Sequence, residues 1–511
     1  MNRTTLSLFA GTAALAAVTA FAAVDPPSAS GAAPKAAARL PVERTSLVCP
    51  APSASDLAET TYTSFTPVTK GAASGGHARL QAAAEQSADG GSGEDGKDGE
   101  DGKEKDGGKK GAGKAAGQPV LTPKAPGTPA TGETSGGDTP ALVGTADGSF
   151  APGWTVQETT EVAAGTGRGL LGVNCAGADT DFWFPGASTA AGRTDYVHLT
   201  NPDDSAAVVD IELYGKDGAI KAPLGENLTI GPGASDAILL STLTEERQAD
   251  LTVHVSVRGG RVGAAVRALD DKAGGDWLAP AADPAGSLVL PGIPKDATDV
   301  RLIAFAPGDD DADLKIRLAS PDGLITPAGS ETTHVKSGMT TATDLGDVTR
   351  GEPGSLVLTP TDQAVPVVAA LQVVRGKGDK RETAFIPATA AVGARATSAG
   401  NTAKGTTLAL TAPEGAATVK VTASAGSEGG TPATRTYTIK AGTTQNVDAP
   451  VPAGLKGTYA LTVEPASGAP LYASRTLTTP DTPAFTIQTL PTDHGLVSVP
   501  QTKEDLSILQ K

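Results

Sequence analysis

A strand–turn–strand unit that returns at a fixed interval constrains this chain more than any other feature. Residues Asp195–Gly215 read DYVHLTNPDDSAAVVDIELYG. Val197 and Leu199 alternate with Tyr196, His198 and Thr200, and Val209, Ile211 and Leu213 alternate with Asp210, Glu212 and Tyr214. Successive strand side chains point to opposite faces, so this period of two predicts two half-buried β-strands. Between them, Asn201-Pro202-Asp203-Asp204 is a turn with a mechanism: proline restricts φ and the Asx side chains bond the local backbone. Pro307 in RLIAFAPGDDDADLKIRL and Pro413 in TLALTAPEGAATVKV hold the place of Pro202, at spacings of 105 and 106 residues. A later strand moves in step, with Leu251 and Val253 answered by Leu356 and Leu358, then by Leu461 and Val463, each 105 residues on. Gly233, Gly338 and Gly442 mark the turn before it. Two shorter echoes pair Phe182-Trp183-Phe184-Pro185-Gly186 with Leu288-Val289-Leu290-Pro291-Gly292, and Trp277-Leu278-Ala279-Pro280 with Phe385-Ile386-Pro387.

A repeat of about 100 residues with roughly seven short strands is the profile of an immunoglobulin-like β-sandwich. It is too long for a propeller blade or solenoid unit, which take roughly 20–50 residues. The expected fold is therefore all-β: tandem immunoglobulin-like sandwiches carrying a disordered acidic, glycine-rich insertion and an N-terminal export helix. The expected division is 1–23 export segment, 24–41 linker, 42–284 first sandwich, 285–392 second and 393–511 third. One short helix is expected over Ser241–Gln248, where Ser or Thr can cap ahead of Glu245 and Glu246.

Composition narrows the function. The 511 residues carry a net charge of −16, against the basic stripe that a nucleic-acid partner would need. Arg3 precedes an uncharged, mostly apolar run from Leu6 to Ala23, with a small-x-small pattern at Ala20-Phe21-Ala22. This is an export signal, either cleaved or retained as a membrane anchor, and the only membrane contact expected. In an exported chain the two cysteines, Cys49 and Cys175, are expected to form a disulfide. Each ends an apolar run that reads as a strand. The stretch 85–140 centres on GEDGKDGEDGKEKDGGKKGAGK, which has no large apolar residue and cannot offset its ordering entropy. Flanking strands joined through sulfur make it an insertion inside the first sandwich rather than a boundary.

The chain shows no G-x-S-x-G, HExxH or P-loop signature and no G-x-G-x-x-G on a βα unit, and no cofactor is expected. His198 and His254 fall on strands and are read as facing solvent, with no third ligand for zinc. Asp309, Asp311 and Asp313 alternate in the turn of the second unit and are the metal candidate, although the EF-hand pattern fails at Leu314 and Ser320. Among the aromatics, Trp183 and Trp277 are candidate glycan contacts, weighed against packing in the core or at a domain junction.

The Val48-Cys49-Pro50 strand and the Asp181-Phe182-Trp183-Phe184-Pro185-Gly186 stretch after Cys175 resemble a family of secreted actinobacterial proteins known as a domain of unknown function. The resemblance covers nearly the whole chain. It implies a β-rich, envelope-associated protein and supplies no catalytic residues. The expected function is a non-catalytic binding or scaffolding role in the cell envelope, with an envelope protein or cell-wall glycan as partner. The alternatives are a carbohydrate-binding module protein and an enzyme of unrecognised type.

Overall fold

The computed structural model describes residues 37–85, 118–479 and 484–500. The expected export segment 1–23, residues 24–36 of the expected linker and the centre of the insertion, 86–117, lie outside the described residues. The chain divides into a main unit, Pro41–Leu496, and a small unit made from its two flanks. In the flanks Ala38–Pro41, expected as linker, pairs with Leu496–Val499.

The sandwich that carries Pro202, the second of four in the chain, shows how each is wound. Its seven main strands are Asp181–Ala187, Arg193–Thr200, Ala207–Gly215, Ala234–Leu239, Leu251–Gly259, Gly263–Asp270 and Gly274–Leu278. The first, fifth and third form one sheet, and the seventh, sixth, second and fourth form the other. Phe182, Phe184, Val197, Leu199, Val209, Ile211, Leu213, Val253, Val255 and Val266 fill the space between them. The two strands flanking Pro202 therefore belong to opposite sheets, and the turn is an arch across the core rather than the tip of a hairpin. Each strand buries its apolar face against the other, so alternation alone is satisfied by either geometry. Asn201 holds the arch: its Oδ1 accepts from the Asp203 N–H (3.0 Å), and its Nδ2 donates to the Ser205 (2.7 Å) and Ile230 (3.1 Å) carbonyls.

The same strand order recurs in Leu288–Pro387 and Ala396–Thr489. It also recurs in a copy that the repeat pattern does not reveal. Arg44–Cys49, Ala58–Phe65, Ala78–Ala82, Ala130–Ser135, Leu142–Asp147, Thr155–Val162 and Gly169–Asn174 pair in the same order, first–fifth–third and seventh–sixth–second–fourth. The stretch 42–284 thus holds two sandwiches with separate cores, where one enlarged sandwich was expected. The insertion falls between the third and fourth strands of the new first copy, which stretches it out of the 105-residue register. Part of the expected disordered stretch is ordered: Leu121 bridges to Leu80 and is buried, and Ala130–Ser135 is a ladder strand beside Ala58–Phe65.

The helix expected over Ser241–Gln248 is a single turn, Leu240–Leu243. Beyond it the backbone is claimed by Thr189, whose Oγ1 donates to the Glu246 carbonyl (2.8 Å) and whose N–H donates to that of Gln248 (3.0 Å).

The four sandwiches close into a ring. The seventh strand of the first packs on that of the second, the second on the third, the third on the fourth, and the fourth on the first. The first strand of each also packs on the sixth strand of the next: Arg44–Cys49 on Gly263–Asp270, Asp181–Ala187 on Val368–Arg375, Leu288–Ile293 on Tyr472–Thr478, and Ala396–Asn401 on Thr155–Val162. The relation is cyclic, a pseudo-four-fold arrangement of one sandwich repeated. Apolar clusters seal each junction: Leu171, Val173, Ala265 and Trp277; Trp183, Phe305 and Val368; Val289, Val357 and Tyr472; Phe65, Ala399 and Ala460.

Candidate functional site

Where the seventh strands of the first, second and fourth sandwiches end, the chain leaves a cleft of about 1280 Å³. Its walls come from Glu43–Leu47 and Thr145–Gly148 of the first sandwich, Asn174–Asp179 and Pro280–Asp283 beside the second, and Leu490–His494 after the fourth. Glu43, Asp179, Asp181 and Asp283 line it and are exposed, with Arg44, Arg261 and His494 as the basic groups. Arg395 ties one wall together: it pairs with Asp493, and its Nη1 donates to Thr69 Oγ1 (3.1 Å). The first and fourth sandwiches are thereby joined at the cleft's rim. A concave site between packed modules is where ligand sites concentrate.

Below the cleft the seventh strands carry buried polar groups. Asp276 is 0% exposed, and its Oδ1 accepts from the backbone N–H of Gly172 (3.0 Å) and Trp277 (2.8 Å) and from Thr486 Oγ1 (3.1 Å). One carboxyl oxygen thus joins three sandwiches. Burial raises its pKa well above the usual carboxylate range. Glu382, on the seventh strand of the third sandwich, faces Arg168 at 3.8 Å; burial raises its pKa to about 7 against the pull of that guanidinium. In the fourth sandwich Arg475 is fully buried, its Nε and Nη2 donating to Gln488 Oε1 (2.9 and 2.6 Å).

Cys49 and Cys175 form the disulfide expected from the sequence, across 126 residues. It links the first strand of the first sandwich to the residue just after its seventh, and Cys175 borders the cleft. A disulfide belongs to an oxidising compartment and points to an extracytoplasmic location. No helix among the described residues is long and apolar enough to cross a membrane.

The other candidates change meaning. Trp183 and Trp277 are only 8% and 3% exposed, so neither presents a ring face to a sugar. Trp183 stacks on His254 (3.8 Å between ring centroids) and Phe305 (5.4 Å), at the junction of the second and third sandwiches. Trp277 meets the His198 ring edge-on (5.0 Å), at the junction of the first and second. The reason is the ring: the outer face of a strand, which alternation assigns to solvent, is covered by the neighbouring sandwich. The same cause overturns the solvent-facing reading of His198, whereas His254 stays partly exposed. His198 is 4% exposed, and burial, helped by the positive charge of Arg267, pushes its pKa well below the usual range. His254 lies between Glu212 (2.8 Å) and Asp181 (3.0 Å), on the opposite sheet from His198. The metal candidate resolves into hydrogen bonding: Asp313 pairs with His334 Nδ1 (2.8 Å), Asp311 lies 3.4 Å from His334 Nε2, and Asp311 Oδ1 accepts the Ser337 N–H (2.9 Å). Those donors occupy oxygens that a cation would need, and Asp309 stays outside the pairing.

Sequence reasoning passed over Glu158, Arg267, Asp276, Glu382 and Arg475. Glu158 left one trace, since it shares the strand face of Val156 and Val162, both buried. Asp276, between a glycine and a tryptophan in GGDWL, left none.

Residues 130–450 match the model of a family of unknown function, DUF5719. That stretch is more than half of the chain, and the chain belongs to this family. It begins at the fourth strand of the first sandwich and ends within the last. No curated protein and no solved structure matches the chain.

Proposed function

We propose that the protein is exported and acts in the cell envelope as a non-catalytic binding or scaffolding module, holding its partner in the cleft at the end of the seventh strands. The observation that carries this reading is the joining of three sandwiches around one opening of about 1280 Å³. A ring sealed at every junction keeps such an opening preformed, and preorganised surfaces lose little entropy on binding. The apolar N-terminal run supports export, and the disulfide agrees with it. The cleft's exposed acids favour a partner that presents cationic or hydrogen-bond-donating groups, on an envelope protein or an amino-bearing wall glycan.

The test is capture from the envelope with the intact chain. Asp179→Arg and Asp283→Arg together should abolish the captured species. Lys216→Glu, on an exposed residue outside the cleft, should leave it unchanged. Equal capture by the cleft variant and the parent removes the cleft from the function. Recovery of the mature protein in the cytosol removes the envelope role.

A further inference from the structure

We infer that Glu158 is the proton donor and acceptor for the Cys49–Cys175 couple, and that this disulfide opens and closes in the folded protein from the side of the cleft. A carboxyl oxygen of Glu158 and the two sulfurs all lie within 4.8 Å of one another. Glu158 is 0% exposed, and neither of its oxygens has a hydrogen-bond partner among the described residues. An unpartnered buried carboxyl destabilises the fold, so its retention beside a disulfide calls for a reason.

The groups around it set its protonation. Tyr62, its cross-strand partner, is fully buried and its hydroxyl is also unpartnered. Arg267 faces it from the second sandwich, held over the rings of Tyr196 (5.3 Å) and Trp277 (5.9 Å). Burial outweighs the pull of Arg267 and keeps the carboxyl protonated well above its usual range. A buried neutral acid is the form that can hand a proton to a leaving thiolate.

The two sulfurs differ in access. Cys49 is 0% exposed, whereas Cys175 is 5% exposed and borders the cleft. An external dithiol, as its thiolate, attacks Cys175 Sγ from the cleft and forms a mixed disulfide. The Cys49–Cys175 bond breaks, and Cys49 Sγ leaves with the electron pair and takes the proton of Glu158. The second thiolate of the reagent then closes its own disulfide and releases Cys175, which takes a proton from water in the cleft. Glu158 is reprotonated from solvent. The dithiol is oxidised by two electrons and the protein disulfide is reduced by two. In the closing direction, with a small disulfide as oxidant, the Glu158 carboxylate takes the proton from Cys49.

The test is the rate at which dithiothreitol reduces the folded, oxidised full-length protein, with alkylation quench and mass detection, from pH 6 to pH 9. The wild-type rate should be first order in dithiothreitol. Glu158→Gln should lower it at least about tenfold at pH 7, a loss set below the roughly 100- to 10,000-fold that a positioned acid supplies. Glu158→Asp, which keeps the acid on a shorter arm, should fall between. The Glu158→Gln rate should follow the thiolate fraction of the reagent across the whole range, while the wild-type rate falls behind it once Glu158 ionises. A Glu158→Gln rate within twofold of wild type overturns the inference. So does a wild-type rate that is independent of dithiothreitol, because reduction would then require unfolding.

Discussion

Gly172 sits where the seventh strand of the first sandwich meets that of the fourth, and Gly172→Ala tests the closure of the ring. Its φ is not positive, so the backbone accepts alanine. In an isolated strand alanine would even gain roughly 0.5–1 kcal/mol over glycine. The tertiary neighbours decide otherwise. A Cβ there would lie 2.2 Å from Gln488 Nε2, 2.6 Å from Thr486 Cγ2 and 2.8 Å from Thr486 Oγ1. Thr486 is 0% exposed and cannot retreat without loosening its hydrogen bond to Asp276. Overpacking of this kind costs about 1–3 kcal/mol, and a weakened bond to a buried acceptor adds about 1 kcal/mol. The net expectation is a loss of about 2 kcal/mol. Urea unfolding followed by tryptophan fluorescence should show a lower midpoint with an unchanged slope, since stability changes and the surface exposed does not. A midpoint that is unchanged or raised would mean that the first and fourth sandwiches do not meet at this strand pair, and the ring would be open.

Three further outcomes follow from the buried groups. Glu382, with a pKa of about 7 in the folded protein, holds a proton that the unfolded chain releases near the ordinary carboxylate value. Folded stability should therefore fall as pH rises from about 4.5 to about 7 and level off above, by about 1–2 kcal/mol after allowance for solvent screening; Glu382→Gln should flatten that part of a stability-against-pH curve. Replacing both Cys49 and Cys175 by serine opens a loop of 126 residues and should cost up to about 5 kcal/mol in the chain-entropy model, read as a lower denaturation midpoint. Trp183→Ala should destabilise by about 3–5 kcal/mol, as removal of a buried aromatic does; a variant of unchanged stability that lost wall-glycan binding would restore the sugar-contact reading.

The alternation around Pro202, Pro307 and Pro413 made three of the four sandwiches legible, because burying one strand face leaves a period of two in any geometry. The first sandwich escaped because 86–117 interrupts it between its third and fourth strands, and its residues carry no echo at the common spacing. The sequence leaves open whether the Pro202 turn is a hairpin tip or an arch for a related reason: alternation says which face is buried and is silent on which sheet receives the strand. The candidate site was less legible still. Its walls come from segments as distant as Glu43 and His494, and none of them carries a motif.

From the sequence alone came the all-β class, the repeated sandwich and the pairing of the two cysteines, since each follows from local periodicity or from simple counting. The tertiary structure decided the rest. Closing four sandwiches around their seventh strands covers faces that any single sandwich would leave wet. Trp183, Trp277 and His198 were thereby turned inward, Asp276 was given partners from three modules, and an acid came to rest against a disulfide. Such contacts depend on where separate modules meet, and no pattern confined to one strand encodes that.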